Sequence, residues 1–142
     1  MEWDQTVHYY GNVLVLANTS EGLIFGGFRG IVCKKRVPGH AYPDPHAFIF
    51  SLSANQTYKS IDPIADAVWC DSSKSPSPTY LEGWMNALHF YADQGTCMGN
   101  YILDELPYLA RTSSEYFVGW YSDGVMATFE VTRLEAYHVT FL

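Results

Sequence analysis

The stretch Asn12-Val-Leu-Val-Leu-Ala-Asn-Thr-Ser-Glu-Gly-Leu-Ile-Phe-Gly-Gly-Phe28 decides the fold. Two apolar runs of strand length flank a short polar loop, Asn18 to Gly22, that ends in glycine. This is the sequence form of a β-hairpin with a longer loop. Both runs are apolar at nearly every position, so at least one should lie between two packed layers. Gly26 and Gly27 break the second run where a bulge, or another backbone in close approach, would need a position without a side chain.

Working outward, the chain reads as further short strands separated by turns. Arg29 to Pro45 is basic, then rich in proline, glycine and histidine, and is expected as an irregular surface loop. Ala47 to Leu52 and Ala65 to Cys70 read as strands, and Ser60 to Pro63 as a turn. Ser72 to Thr79 reads as loop. Ala87 to Asp93 alternates, with Leu88, Phe90 and Ala92 on one face and His89, Tyr91 and Asp93 on the other. Gln94 to Ser114 gives no clear pattern beyond a helical turn over Ile102 to Leu106. Tyr116 to Trp120 and Met126 to Val131 are strands around a turn at Ser122-Asp-Gly124, and Leu134 to Phe141 closes the chain. About eight short strands without a long amphipathic helix imply a mostly β, antiparallel two-sheet β-sandwich. Residues 1–11 form an N-terminal extension and residues 12–142 one domain.

Composition narrows the function classes. The 142 residues are 48% hydrophobic and only 16% charged, with aromatics also at 16%. Such a chain has a real core and a surface short of charge, which invites cover by a partner. The net charge of −7 argues against a nucleic-acid ligand, and Lys34-Lys35-Arg36 is too short a basic cluster to reverse that. No window supplies the roughly 20 apolar residues of a membrane span. The start Met1-Glu-Trp-Asp-Gln5 has neither the basic nor the apolar part of a signal peptide. Three scattered cysteines, Cys33, Cys70 and Cys97, form no disulfide ladder, so the expected setting is intracellular and cytoplasmic. In that setting, the acceptor patterns at Asn18 and Asn55 are ordinary loop residues.

Several segments, in order, resemble the TLDc domain of oxidation-resistance proteins. They are Gly22-Leu-Ile-Phe-Gly-Gly-Phe28, Asp44-Pro-His-Ala-Phe-Ile-Phe-Ser-Leu52, Ala67-Val-Trp-Cys-Asp71, Pro78-Thr-Tyr80 and Phe129-Glu-Val-Thr-Arg-Leu-Glu-Ala-Tyr137. The resemblance spans about Asn12 to Tyr137. It implies a β-sandwich with short flanking helices, protection against oxidative stress, and docking on the vacuolar proton pump. No agreed active site carries over from it. Leu81-Glu-Gly-Trp84 departs from the family's glycine-rich stretch. The family's helix-bearing segment before the first hairpin strand also has only about eleven residues here in its place. Either the chain is a piece of a longer one, or it is a shortened member whose exposed core is covered by something else. An uncovered apolar strand edge invites pairing, which favours a partner chain.

Chemistry-bearing residues are few. Cys33 precedes three basic residues, a context that lowers a thiol pKa, so it is the redox candidate for a small thiol-dependent antioxidant; an unreactive, half-exposed thiol is the plainer reading. Cys70 reads as packed at a strand end. His40, Asp44 and His46 share one proline-bound loop and are the metal candidates, against a simple solvated loop. No Gly-x-Ser-x-Gly elbow marks a hydrolase, and Asp104 and Glu105 are adjacent rather than paired across a cleft. Trp3, Tyr9, Tyr10, Trp84, Tyr108, Trp120 and Tyr121 lie in or beside loops. They are candidates for a partner interface, or, through Trp84 and Trp120, for a lectin-like sugar platform, with burial in the core as the alternative. The residues call for no cofactor. The expectation is a non-catalytic module that meets other protein chains.

Overall fold

The computed structural model describes residues 7, 10–33, 40–53, 55–59, 66–70, 79–84, 88–93, 96–101 and 127–141. These form ten strands: β1 (Val13–Thr19), β2 (Ile24–Arg29), β3 (His40–Pro43), β4 (Phe48–Ser51), β5 (Gln56–Lys59), β6 (Asp66–Cys70), β7 (Thr79–Trp84), β8 (Leu88–Asp93), β9 (Thr96–Tyr101) and β10 (Ala127–His138). Eight of them join in the order β5-β4-β2-β1-β10-β9-β8-β7, and β3 pairs separately with β6. Every pairing is antiparallel. The fold is the mostly β, sandwich-like class expected. Among the described residues no helix is long and apolar enough to cross a membrane.

The hairpin forms as read. Gly22 turns the chain with φ of 85°, a left-handed conformation that glycine adopts without a Cβ penalty. Thr19 closes the loop: its N–H donates to the Leu23 carbonyl (2.9 Å), and its hydroxyl accepts from the Leu23 N–H (3.1 Å). β1 alternates between buried and half-buried positions, whereas five of the six residues of β2 are buried. So β2 is the more buried of the two, its outward Phe28 shielded by the rings of Phe48 and Phe141 rather than by a further layer, and β1 is covered fully on one face only.

β10 makes the second layer possible. Its residues from Val131 to His138 pair with β1, while Ala127 to Glu130 pair with β9. The register shifts where Thr19 meets Val131 and Asn18 meets Arg133, leaving Thr132 as the extra residue of a bulge. The Thr132 hydroxyl donates to the Asn18 carbonyl at 3.2 Å. A bulge bends and twists a strand, and here it lets one strand serve both layers. Sequence reading split this strand in two at the same place.

The two layers meet through aromatic side chains. Phe25 of β2 packs edge-on against Phe129 at 4.7 Å and stacks on Phe90 at 6.3 Å. Trp84 is 0% exposed, and its indole N–H donates to the Phe28 carbonyl at 2.9 Å. A Cβ on Gly27 would stand 2.5 Å from that indole. Neither expected use of this glycine is the one observed: the β1–β2 register runs through Gly26 and Gly27 without a shift, and what approaches Gly27 is a side chain rather than a backbone.

Beside Trp84 lies a buried ion pair. Arg29 Nε and Nη2 donate to the two carboxylate oxygens of Glu82 at 3.0 and 3.1 Å. The other guanidinium N–H groups reach the carbonyls of Tyr10 (2.6 Å), Ile31 (2.7 Å) and Val7 (2.8 Å). Neither side chain of the pair touches solvent appreciably. A buried guanidinium is tolerated when it has a counter-charge and filled donors, and Arg29 has both. It thereby ties Val7 to Tyr10 onto the sandwich.

Four strands arise where none was expected. β3 lies inside the stretch read as irregular loop, held by pairing with β6 rather than by local propensity. β5 follows β4 through a turn at Asn55, whose φ is 54°. β7 begins at the end of the serine-rich loop and carries the Leu81-Glu-Gly-Trp84 segment. β9 fills part of the stretch that gave no clear pattern. The turn at Ser60 to Pro63, the helical turn at Ile102 to Leu106, and the strand and turn from Tyr116 to Gly124 lie outside the described residues.

Candidate functional site: the outer face of the hairpin layer

Strand pairing fixes which side chains share a face. On the side of the hairpin layer turned away from the second layer, one row runs Tyr137, Leu14, Phe28, Phe48, Lys59. The next runs Glu135, Leu16, Gly26, Phe50, Thr57. A solvated sheet face alternates to polar residues, yet the middle of both rows is apolar or glycine. Leu14, Leu16 and Phe48 remain half-buried on this face. Leu52 and Phe141, at 60% and 69% exposed, extend it. The rings associate: Phe28 stacks on Phe48 at 5.3 Å, and Phe141 meets Phe28 edge-on at 6.3 Å.

Two hollows lie on this face and share Phe48. One, of about 590 Å³, is floored by Phe28, Phe48 and Phe141 and rimmed by Asn12, His46 and Lys59. The other, of about 410 Å³, lies between Leu14, Leu16, Phe50 and Leu52, with Asn55, Gln56 and Thr57 on its rim. Among the described lining residues there is no carboxylate, in a chain whose net charge is −7. The only side chains there able to carry charge are His46 and Lys59.

The rim of the larger hollow is fixed by backbone bonding. Asn12, with φ of 52°, donates its N–H to the Gly30 carbonyl and accepts at its own carbonyl from Val139 N–H at 2.8 Å. Asp44, 1% exposed, accepts from the N–H groups of Gly30 (2.7 Å), Ile31 (3.3 Å) and His46 (3.0 Å). Its charge is thus absorbed by backbone donors that set the position of His46. Asp44 is a loop organiser rather than a metal ligand. No group of three or more His, Cys, Asp or Glu among the described residues is disposed to hold a metal ion. His46 is exposed on the rim, and the His40 side chain lies outside the described set.

The redox candidate is corrected. Cys33 is not a half-exposed thiol: it is 3% exposed and bonded to Cys70, with the two Cα atoms 5.5 Å apart. Charge in the neighbouring sequence pointed to activation, but the path of the chain brings a second cysteine alongside. The bond ties the segment after β2 to the end of β6. It also removes the argument that unpaired cysteines imply a reducing interior. Cys97 is the free cysteine of the described residues, and burial pushes its thiol pKa up, the opposite of activation.

The aromatic candidates divide. Trp84 is core, so it serves neither a partner interface nor a sugar platform. Tyr10 is 51% exposed, its ring 5.0 Å from that of His138, and so remains available at the surface. Trp3, Tyr9, Tyr108, Trp120 and Tyr121, with Asp104 and Glu105, lie outside the described residues. Sequence reading did not single out Leu14, Leu16, Phe48, Lys59 or Phe141. The signal was present: a strand apolar on both faces, in a sheet with only one face inside, leaves the other for something else.

No family model matches this chain, and no curated protein matches it.

Proposed function

We propose that the chain is a TLDc-like β-sandwich that serves as a non-catalytic protein-interaction module, an accessory part of a larger assembly. The observation that carries this reading is the apolar outer face of the hairpin layer, where Leu52 and Phe141 stand in water beside half-buried Leu14, Leu16 and Phe48. A patch of this kind on a soluble surface marks a site of contact. The antioxidant alternative loses its thiol to the Cys33–Cys70 bond, and the lectin-like alternative loses Trp84 to the core. The resemblance adds a finer expectation, a role in oxidative-stress protection or in regulating the vacuolar proton pump. On location, the Cys33–Cys70 bond favours an oxidising compartment over the reducing interior expected from unpaired cysteines.

The test is cross-linking of the chain in its native source, followed by mapping of the cross-linked positions. Partner cross-links at Lys59, with the free chain binding an apolar-surface dye that the complex does not, are the expected result. A chain that stays monomeric, binds no dye and cross-links to nothing would overturn the reading.

A further inference from the structure

We propose that the outer face of the hairpin layer is a groove for one kind of occupant: an extended peptide segment of a partner, apolar at alternate positions and ending in a carboxylate at Lys59 and His46. This rests on the interaction-module reading and makes it specific. The two hollows adjoin at Phe48 and lie in a row along β4, from His46 at one end to Leu52 at the other, which is the line an extended segment would follow. Those six residue steps span about 20 Å at roughly 3.3 Å per residue. Seven extended residues of a partner cover the same distance, more than a single small ligand fills.

The chemistry of this row varies along its length. At the Leu52 end the floor is Leu14, Leu16 and Phe50, with uncharged Gln56 and Thr57 on the rim. At the other end the floor is phenylalanine, and the rim carries the ammonium of Lys59 and the imidazole of His46. An extended segment presents every second side chain to one side, so alternate apolar residues enter the hollows while the rest face water. A carboxylate at the Lys59 end meets the cationic rim without competition, because Asp44 is occupied by backbone N–H groups.

A second copy of this chain fits less well. To meet Lys59 across a self-paired face it would have to offer Glu135, the acidic residue of that face. Glu135 is already held by Arg133 and by the Tyr137 hydroxyl. A foreign carboxylate carries no such prior engagement.

The experiment uses the full chain and an N-terminally fluorescein-labelled, C-terminally amidated heptapeptide, Leu-Thr-Phe-Thr-Phe-Thr-Glu, whose glutamate shares the face of its apolar residues, together with its reversed sequence. A third peptide has the glutamate replaced by lysine. Anisotropy should rise saturably with one of the two acidic peptides. Lys59→Glu, an exposed change that leaves the core untouched, should weaken that peptide about tenfold, the worth of one charge-assisted contact. The same variant should bind the lysine peptide more tightly than the unaltered chain does. No saturable binding to any peptide, or equal binding by both chains, would overturn the groove. So would 3-phenylpropionate binding as tightly as the peptide, or self-association abolished by Lys59→Glu. Failure here with partner cross-links mapped elsewhere on the sandwich would leave the module reading standing and remove only the groove.

Discussion

Replacing Glu82 by glutamine keeps the shape of the side chain and removes its charge from beneath Arg29. The carboxylate now accepts two guanidinium N–H groups at 3.0 and 3.1 Å. An amide offers one oxygen and one NH2, so one Arg29 donor would face another donor. The guanidinium, 0% exposed, would keep one amide oxygen and the carbonyls of Val7, Tyr10 and Ile31 as partners but would lose its counter-charge. Removing one member of a buried pair costs about 3–5 kcal/mol, against a total stability of roughly 5–15 kcal/mol for a domain. With a urea slope of about 2 kcal/mol per molar, the midpoint should fall by about 2 M. Tryptophan fluorescence during urea unfolding measures this, since Trp84 is buried beside the pair. The double variant Arg29→Met with Glu82→Leu should recover part of the loss but not all, because three backbone carbonyls lose their donor. A Glu82→Gln midpoint within about 0.5 M of the unaltered chain, a shift worth roughly 1 kcal/mol, would refute the reasoning. Neutral acceptors would then suffice for the buried cation.

Other outcomes follow from the same geometry. Cys33→Ala with Cys70→Ala frees a 37-residue separation and should cost about 4 kcal/mol on the chain-entropy account, read as a fall in the urea midpoint; differential alkylation of the native chain should find these two cysteines protected as a pair. Gly27→Ala should destabilise by about 1–3 kcal/mol, since its Cβ would stand 2.5 Å from the Trp84 indole, and near-ultraviolet dichroism of the tryptophan should change with it. Gly22→Ala should cost only about 1 kcal/mol, because its φ of 85° is strained for alanine while nothing lies within 4 Å of the new Cβ. Burial raises the Cys97 pKa, so near neutral pH the folded chain holds less thiolate there than the unfolded chain. Iodoacetamide should therefore label folded Cys97 more slowly, with the gap narrowing as pH climbs through the raised pKa.

The elements that sequence disclosed are those whose pattern is local. The hairpin from Val13 to Arg29 was legible because two apolar runs and Gly22 state it within seventeen residues. β8 was legible because Leu88 and Phe90 alternate with His89 and Tyr91. β3, β5 and β7 were not, because each owes its strand form to a neighbour reached through a turn or a long excursion. The same distinction governs the side chains. Trp84 sits near the end of a polar stretch and looks like a surface anchor until Gly27 is seen to make room for it. Cys33 and Cys70 look unrelated until the chain is folded, since nothing in a spacing of 37 announces a bond. The need for a partner was visible in the low charge fraction, but the place was not. Only register separates the half of β1 that meets the second layer from the half that does not.

Because β10 lies beside both β1 and β9, the two halves of the sandwich are joined through the sheet only once β10 has been made. During synthesis the hairpin must therefore wait, its valines and phenylalanines open to the cytosol or the translocon, until residues around His138 leave the ribosome. Long-range pairing of this kind folds slowly and exposes sticky edges meanwhile. A nascent-chain helper or an early-arriving partner on the hairpin would shorten that exposure, so assembly during translation is where this architecture gains most from company.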